Sequence, residues 1–84
     1  SILDGMAKYL KAGRNGYYTC FHPSAARGMK NIGLRSRKEV EEWFAKKTNV
    51  PEKNISVTVT GGEPGYSLIW AYDLRAHVTK KIMV

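Results

Sequence analysis

The sequence predicts an α+β protein, in which a small antiparallel sheet packs on one main helix and a β-hairpin follows. Two segments carry the prediction: helical periodicity over residues 36 to 48 and strict alternation over residues 54 to 60. Length is the third observation, because 84 residues allow a single domain, 1–84, with one modest core. Hydrophobic residues make up 43% of the chain, which is enough to fold without disulfides or metal.

The first dozen residues fit two structures. Their apolar side chains have helical spacing, and Gly13 follows at the position where a helix would end. Residues 6 to 11 also alternate as a strand that would pair with the next strand through a turn at 12 to 16. The local pattern slightly favours the helix.

A strand is predicted at Tyr17 to His22, ended by Pro23. The chain from Pro23 to Leu34 is rich in small and basic residues and contains glycine, which predicts a long loop. We expect this loop to return through a short strand over residues 31 to 34.

The clearest element is the helix over residues 36 to 48. Ser36 and Glu39 form the capping-box pattern S-x-x-E, in which each side chain can accept from a backbone N–H of the first turn. Three apolar residues make one stripe at helical spacing: Val40, Trp43 and Phe44. Pro51 prevents the helix from continuing.

A hairpin is predicted to follow. Residues 54 to 60 alternate apolar and polar side chains, and the glycine-rich stretch 61 to 65 is typical of a turn. Residues 66 to 74 then form the partner strand. The last segment, 78 to 83, fits either a third short strand or a loose tail.

The positive charge is concentrated in the first half of the chain. The net charge is +7, and no acidic residue occurs between Asp4 and Glu39. A basic stretch of this kind predicts a positive face that binds a polyanion. Its members are Lys8, Lys11, Arg14, Arg27, Lys30, Arg35, Arg37 and Lys38.

Other classes of protein are not expected. No apolar run approaches the roughly 18 residues of a membrane span, and the start lacks a signal-peptide pattern. The single cysteine, Cys20, fits a reducing, intracellular setting such as cytoplasm, nucleoid or nucleus. Together with His22 and His77 it has no metal-ligand spacing, so no metal or cofactor is expected. The acids cluster at a helix start, and a non-catalytic protein is therefore predicted.

Aromatic residues next to basic ones are the more informative feature. Strand alternation places Tyr18 and Cys20 on one face, and Tyr17, Thr19 and Phe21 on the other. One set would pack under the helix, and the other set could contact a ligand.

The order of these features resembles a known fold. A basic turn at 11 to 15, an aromatic strand and an amphipathic helix opening at Arg35-Ser36 resemble the three-stranded-sheet-plus-helix DNA-binding fold of methyl-CpG-binding domains, AP2-type factors and phage integrase arm-binding domains. Residues 34 to 40 and 51 to 61 are similar to the methyl-CpG-binding family, and 15 to 18 with 39 to 43 are similar to the integrase pattern. The resemblance covers about residues 6 to 61 and requires a strand over residues 6 to 11.

The resemblance implies that a sheet face enters the major groove of double-stranded DNA. Arg35 and then Arg14 would contact base edges, while phosphates would meet Lys11, Lys30, Arg37 and Lys38. The aspartate by which that family recognises methylcytosine has no counterpart in residues 17 to 19. The complete predicted nucleic-acid-binding set is Lys11, Arg14, Asn15, Tyr17, Thr19, Arg27, Lys30, Arg35, Arg37 and Lys38.

Two alternatives to duplex DNA remain open. The first is single-stranded DNA or RNA, with bases stacked on Tyr17, Tyr18, Phe21 or Trp70. The second is a protein-interaction or inhibitor module that docks its basic face on an acidic partner, as small phage or mobile-element accessory proteins do. The oligomeric state does not follow from the sequence.

Overall fold

The computed structural model describes residues 1–60 and 75–82. The chain is an α+β protein, which confirms the predicted class. Its elements occur in the order α1 (Ile2–Ala12), β1 (Gly16–Phe21), α2 (Ala25–Asn31), α3 (Arg37–Thr48), β2 (Ile55–Thr60) and β3 (Arg75–Ile82). A 3-10 turn, Glu52–Asn54, leads into β2.

The three strands form one antiparallel sheet in the order β1-β3-β2. The last strand in sequence is thus the central strand of the sheet, which confirms a strand at the C-terminal segment and begins it at Arg75. In the register, Val78 of β3 lies between Cys20 of β1 and Val57 of β2. The predicted turn at 61 to 65 and partner strand at 66 to 74 lie outside the described residues.

The N-terminal segment adopts the helical alternative. Its buried residues are Leu3, Met6, Ala7 and Leu10, which have the spacing of one helical face. A strand would have placed the adjacent Met6 and Ala7 on opposite faces and left one of them uncovered. The strand over residues 6 to 11 that the resemblance requires is therefore wrong.

The predicted loop with a short strand at 31 to 34 is also wrong, because α2 forms there. Ala25, Ala26 and Met29 are buried in the core. The helix ends at Asn31, and Gly33 follows with a φ of +82°, which suits glycine. The Leu34 N–H then donates to the Met29 carbonyl at 3.0 Å. Ser24 provides no side-chain cap, so the usual sequence signal for a helix start is missing.

The main helix is confirmed, with a variation in its cap. The Glu39 N–H donates to Ser36 Oγ at 3.1 Å, as in a capping box. The Glu39 carboxylate, however, accepts from the N–H of Arg35 at 3.0 Å, one residue before the usual position. Asn49 ends the helix in the left-handed conformation, with φ 60°.

The helices cover one face of the sheet. Val40 and Phe44 of α3 are fully buried, and they belong to one core cluster with Leu10, Met29 and Val78. Among residues 1–60 and 75–82, no helix packs on the opposite face of the sheet. No helix in residues 1–60 or 75–82 is long and apolar enough to cross a membrane.

Candidate nucleic-acid interface

The sheet face that the helices do not cover is the candidate site, and we call it the open face. Cross-strand pairing aligns its side chains in rows, because residues directly opposite each other point the same way. Tyr17 lies opposite Lys81, Thr19 opposite Thr79, and Phe21 opposite His77. Across the other edge of β3, Ser56 and Thr58 continue the last two rows. The described members of the open face are Tyr17, Thr19, Phe21, Ser56, Thr58, His77, Thr79 and Lys81.

Aromatic rings occupy both ends of β1 on this face. The Tyr17 side chain is 69% exposed, and Lys81 Nζ lies 5.3 Å from its ring centroid. At the other end Phe21 is 39% exposed, and its ring stacks on that of His77 with centroids 4.4 Å apart and planes at 20°. Flat, accessible rings of this kind can stack on other planar π systems.

Hydroxyl groups lie between the aromatic ends. Thr19 Oγ1 and Thr79 Oγ1 are 2.8 Å apart and share a hydrogen bond. Threonine hydroxyls can donate and accept, so this central row offers polar contacts without a fixed preference for donor or acceptor. None of the described members of the open face is acidic, and Lys81 contributes a positive charge.

The helix-covered face of the sheet holds a buried lysine on β3. The Lys80 side chain is fully buried, and its ammonium group donates to the carbonyl oxygens of Leu10 and, at 2.7 Å, Gly13. These carbonyls belong to the end of α1, where the helix dipole favours a cation. The Tyr18 ring centroid lies 5.0 Å from the same nitrogen. Burial lowers the pKa of Lys80, because the interior disfavours the charged form.

Gly13 allows Tyr18 to approach this site. A Cβ at Gly13 would lie 2.5 Å from three atoms of the Tyr18 ring, well inside van der Waals contact. The backbone of Gly13 is extended, with φ −71° and ψ 140°, so the requirement for glycine here is steric and not conformational.

Cys20 lies on the helix-covered side of the sheet and is half-buried. Desolvation raises the pKa of its thiol to about 11. The neutral thiol donates only weakly, to the Val78 carbonyl at 3.7 Å. The thiolate that nucleophilic attack or metal binding requires is therefore disfavoured at this position.

The structure brings part of the predicted binding set together. Tyr17 and Thr19 lie on the open face, as strand alternation predicted. Arg14 and Asn15 are exposed in the loop just before β1, and Lys11 is exposed in the last turn of α1. These five residues lie at, or lead directly into, the β1 edge of the sheet.

The remaining predicted cations lie in the helical layer. Arg27 and Lys30 are exposed on α2, Arg35 is exposed before α3, and Lys38 is exposed in the first turn of α3. Arg37 is only partly exposed, and its buried Nε has no hydrogen-bond partner among the described residues. The structure does not place this group on the open face.

Six members of the open face were absent from the predicted binding set: Phe21, Ser56, Thr58, His77, Thr79 and Lys81. The last three lie on β3. The sequence contains a signal for these three, because they alternate with Val78, Lys80 and Ile82 in a period of two. The adjacent lysines Lys80 and Lys81, of which the first is buried, obscured that alternation.

No protein-family model matches the chain, and no curated protein or solved structure matches it either. Among residues 1–60 and 75–82, no three His, Cys, Asp or Glu side chains are grouped in a way that could hold a metal ion. The candidate site is therefore defined by its geometry alone.

Proposed function

We propose that this protein binds single-stranded nucleic acid across the open face. One observation carries the proposal: Tyr17 and the stacked pair of Phe21 and His77 are accessible on a sheet face that none of the described helices covers and that has no acidic member among its described residues. The solvent-facing side of an antiparallel sheet is ordinarily polar, so exposed aromatic rings there need a reason. Base stacking supplies one.

The spacing of the rings suits successive bases. Tyr17 and Phe21 are four residues apart on one strand, which places them about 13 Å apart. One base cannot contact both rings, so at least two bases would be stacked. The threonine row between them would then face the sugars or base edges through its hydroxyls.

The charges next to this row suit phosphates. Lys81 projects from the open face beside Tyr17, and Arg14 is exposed in the loop before β1. Two phosphates neutralised by these cations correspond to a slope of about −1.4 in the logarithm of affinity against the logarithm of salt concentration.

Double-stranded DNA is the second candidate, and the acid-free stretch between Asp4 and Glu39 favours it. Duplex binding depends on many phosphate contacts, and the exposed cations of α2 and α3 would supply them. The bound surface would then be the helical layer together with the loop that holds Arg14. This mode makes no use of the rings on the open face, and that difference separates the two candidates.

The test is a titration of a single-stranded oligonucleotide, the matching duplex and the methylated duplex, each at two salt concentrations. We expect the single strand to bind most tightly. Tyr17→Ala should weaken it by roughly 5- to 150-fold, the equivalent of one base stack of about 1–3 kcal/mol. Ile32→Ala, which removes a half-exposed apolar side chain from the helical layer, is the control and should bind as the wild type does.

Two outcomes would overturn this proposal. A clear preference for the duplex, unaffected by Tyr17→Ala, would favour double-stranded DNA as the ligand. Failure of all three probes to bind at low salt would exclude both and leave a protein-interaction role, which a pull-down resistant to nuclease and high salt would detect.

A further inference from the structure

A cleft on the helix-covered side of the sheet adjoins one end of the open face. It lies where α1 ends and β1 begins, and its volume is about 360 Å³. That volume is near the lower limit of pockets that hold small ligands, which span roughly 300–1,000 Å³. The lining residues are Tyr9, Ala12, Gly13, Arg14 and Tyr18.

The cleft has the chemistry of a nucleotide site. Tyr9 is 54% exposed and Tyr18 is partly exposed, so two aromatic rings line a space that also has the guanidinium of Arg14 beside it. Rings stack on a base, and a guanidinium pairs with a phosphate by charge-assisted hydrogen bonds. In the part of the chain that the structure describes, no acidic side chain lines the cleft.

A second positive charge lies behind the wall of the cleft. The Lys80 ammonium binds the carbonyl of Gly13, which lines the cleft, and it lies beneath the Tyr18 ring. Within residues 1–60 and 75–82, no carboxylate is paired with this buried cation. An anion in the cleft would therefore offset a charge that no carboxylate of the described residues compensates.

The cleft and the open face are connected through β1. Tyr17 and Tyr18 are adjacent residues whose side chains point to opposite faces, with Cα atoms about 3.8 Å apart. β1 is an end strand of the sheet, so a chain leaving Tyr17 can pass around this edge. Arg14 and Asn15 lie in the loop at the point of crossing.

We infer that this cleft binds one further nucleotide of the same single strand, with its base against Tyr9 and Tyr18 and its phosphate beside Arg14. The inference rests on the proposed function and extends it from the open face to a strand that wraps around the β1 edge. It also gives the site a minimum length, because an oligomer whose bases lie on Phe21 and Tyr17 reaches the cleft only with a further nucleotide.

The experiment is a length series of oligothymidylates, from two to eight nucleotides, titrated by calorimetry at low salt. The wild type should show a further rise in affinity at the length that reaches the cleft. Tyr9→Ala should remove this rise, weakening the longest oligomer by roughly 5- to 150-fold while leaving the dinucleotide unchanged. Tyr9→Leu keeps apolar cover on α1 and should show the same loss, so a folding defect of the alanine variant would not obscure the result.

Charge is controlled separately. Arg14→Ala should weaken the longest oligomer and reduce its salt slope by about 0.7. Lys47→Ala is the matched charge control. Lys47 lines a groove with Ile2 and Leu3 at the opposite end of α1, about 15 Å away, so its loss should reduce the affinity for the longest oligomer much less.

The outcomes separate this inference from the proposed function. If oligomers bind and both Tyr9 variants match the wild type at every length, the cleft is not part of the site, although the open face still is. If Tyr9→Ala weakens all lengths equally, a separate nucleotide position in the cleft is likewise excluded. If no oligomer binds the wild type, the inference and the proposed function fail together.

Discussion

Replacing Gly13 by alanine tests the packing that joins α1, β1 and the buried Lys80. The new Cβ would lie 2.5 Å from three atoms of the Tyr18 ring, where ordinary carbon contacts are about 3.5–4.0 Å. The ring must therefore move by about 1 Å, and overpacking of this kind costs about 1–3 kcal/mol. Alanine accepts the local φ and ψ without strain. It also lowers the conformational entropy of the unfolded chain, which stabilises the folded protein by about 0.4–1 kcal/mol. We expect Gly13→Ala to lower the free energy of unfolding by about 1–2 kcal/mol.

Gly5→Ala is the matched control for this substitution. Gly5 lies inside α1, and a Cβ there would meet nothing within 4 Å. Alanine is the better helix former by about 1 kcal/mol, so this variant should be more stable than the wild type. Urea denaturation of both variants, followed by far-ultraviolet circular dichroism, gives the two values. Equal or greater stability for Gly13→Ala than for Gly5→Ala would refute the close approach of Tyr18.

Three further predictions concern single side chains. Cys20 should react with Ellman's reagent at pH 8 about 100-fold more slowly in the folded protein than in urea, because its raised pKa of about 11 leaves little thiolate; equal rates would contradict its burial. Ser36→Ala should cost about 1 kcal/mol in urea denaturation through loss of the cap to the Glu39 N–H, whereas an unchanged midpoint would show that the cap is not needed. The pKa of Lys80 in the unfolded chain is about 10.4. Burial lowers this pKa in the folded state, so the folded protein loses the proton at a lower pH than the unfolded chain does. Between those two pKa values the unfolded state binds more protons, and the free energy of unfolding, measured relative to Lys80→Met, should therefore rise with pH; a fall over that window would contradict the assignment.

The elements with strong local signals were predictable from the sequence. The helix α3 was predictable because Ser36 caps it and Val40 and Phe44 form its buried stripe. The alternation over residues 54 to 60 gave β2, in which Ile55 and Val57 are buried. The alternation in β1 also placed Tyr17 and Thr19 on the face that the helices leave uncovered.

The elements that depend on distant contacts were not predictable in the same way. The helix α2 has no side-chain cap and contains Gly28, and packing of its buried Ala25, Ala26 and Met29 stabilises it instead. A Cβ at Gly28 would lie 3.4 Å from Leu3, so the lack of a side chain at Gly28 lets α1 and α2 approach closely.

The candidate site also depends on contacts between residues that are far apart in the sequence. The stacking of Phe21 on His77 and the contact of Lys80 with the Leu10 carbonyl join the start of the chain to its last strand. A lysine on the buried face of a strand contradicts the usual pattern of burial, since only the carbonyls at the end of α1 make that position tolerable. The local sequence gives no signal of where those carbonyls lie.

Photo-crosslinking tests the central claim most directly, because it reports which residues contact the bases. A single-stranded oligonucleotide containing 5-bromodeoxyuridine is irradiated with the protein, and the linked residues are identified by mass spectrometry. Binding across the open face predicts crosslinks at Tyr17 and at Phe21 or His77. Crosslinks confined to α2 and α3, with none on β1 or β3, would contradict it.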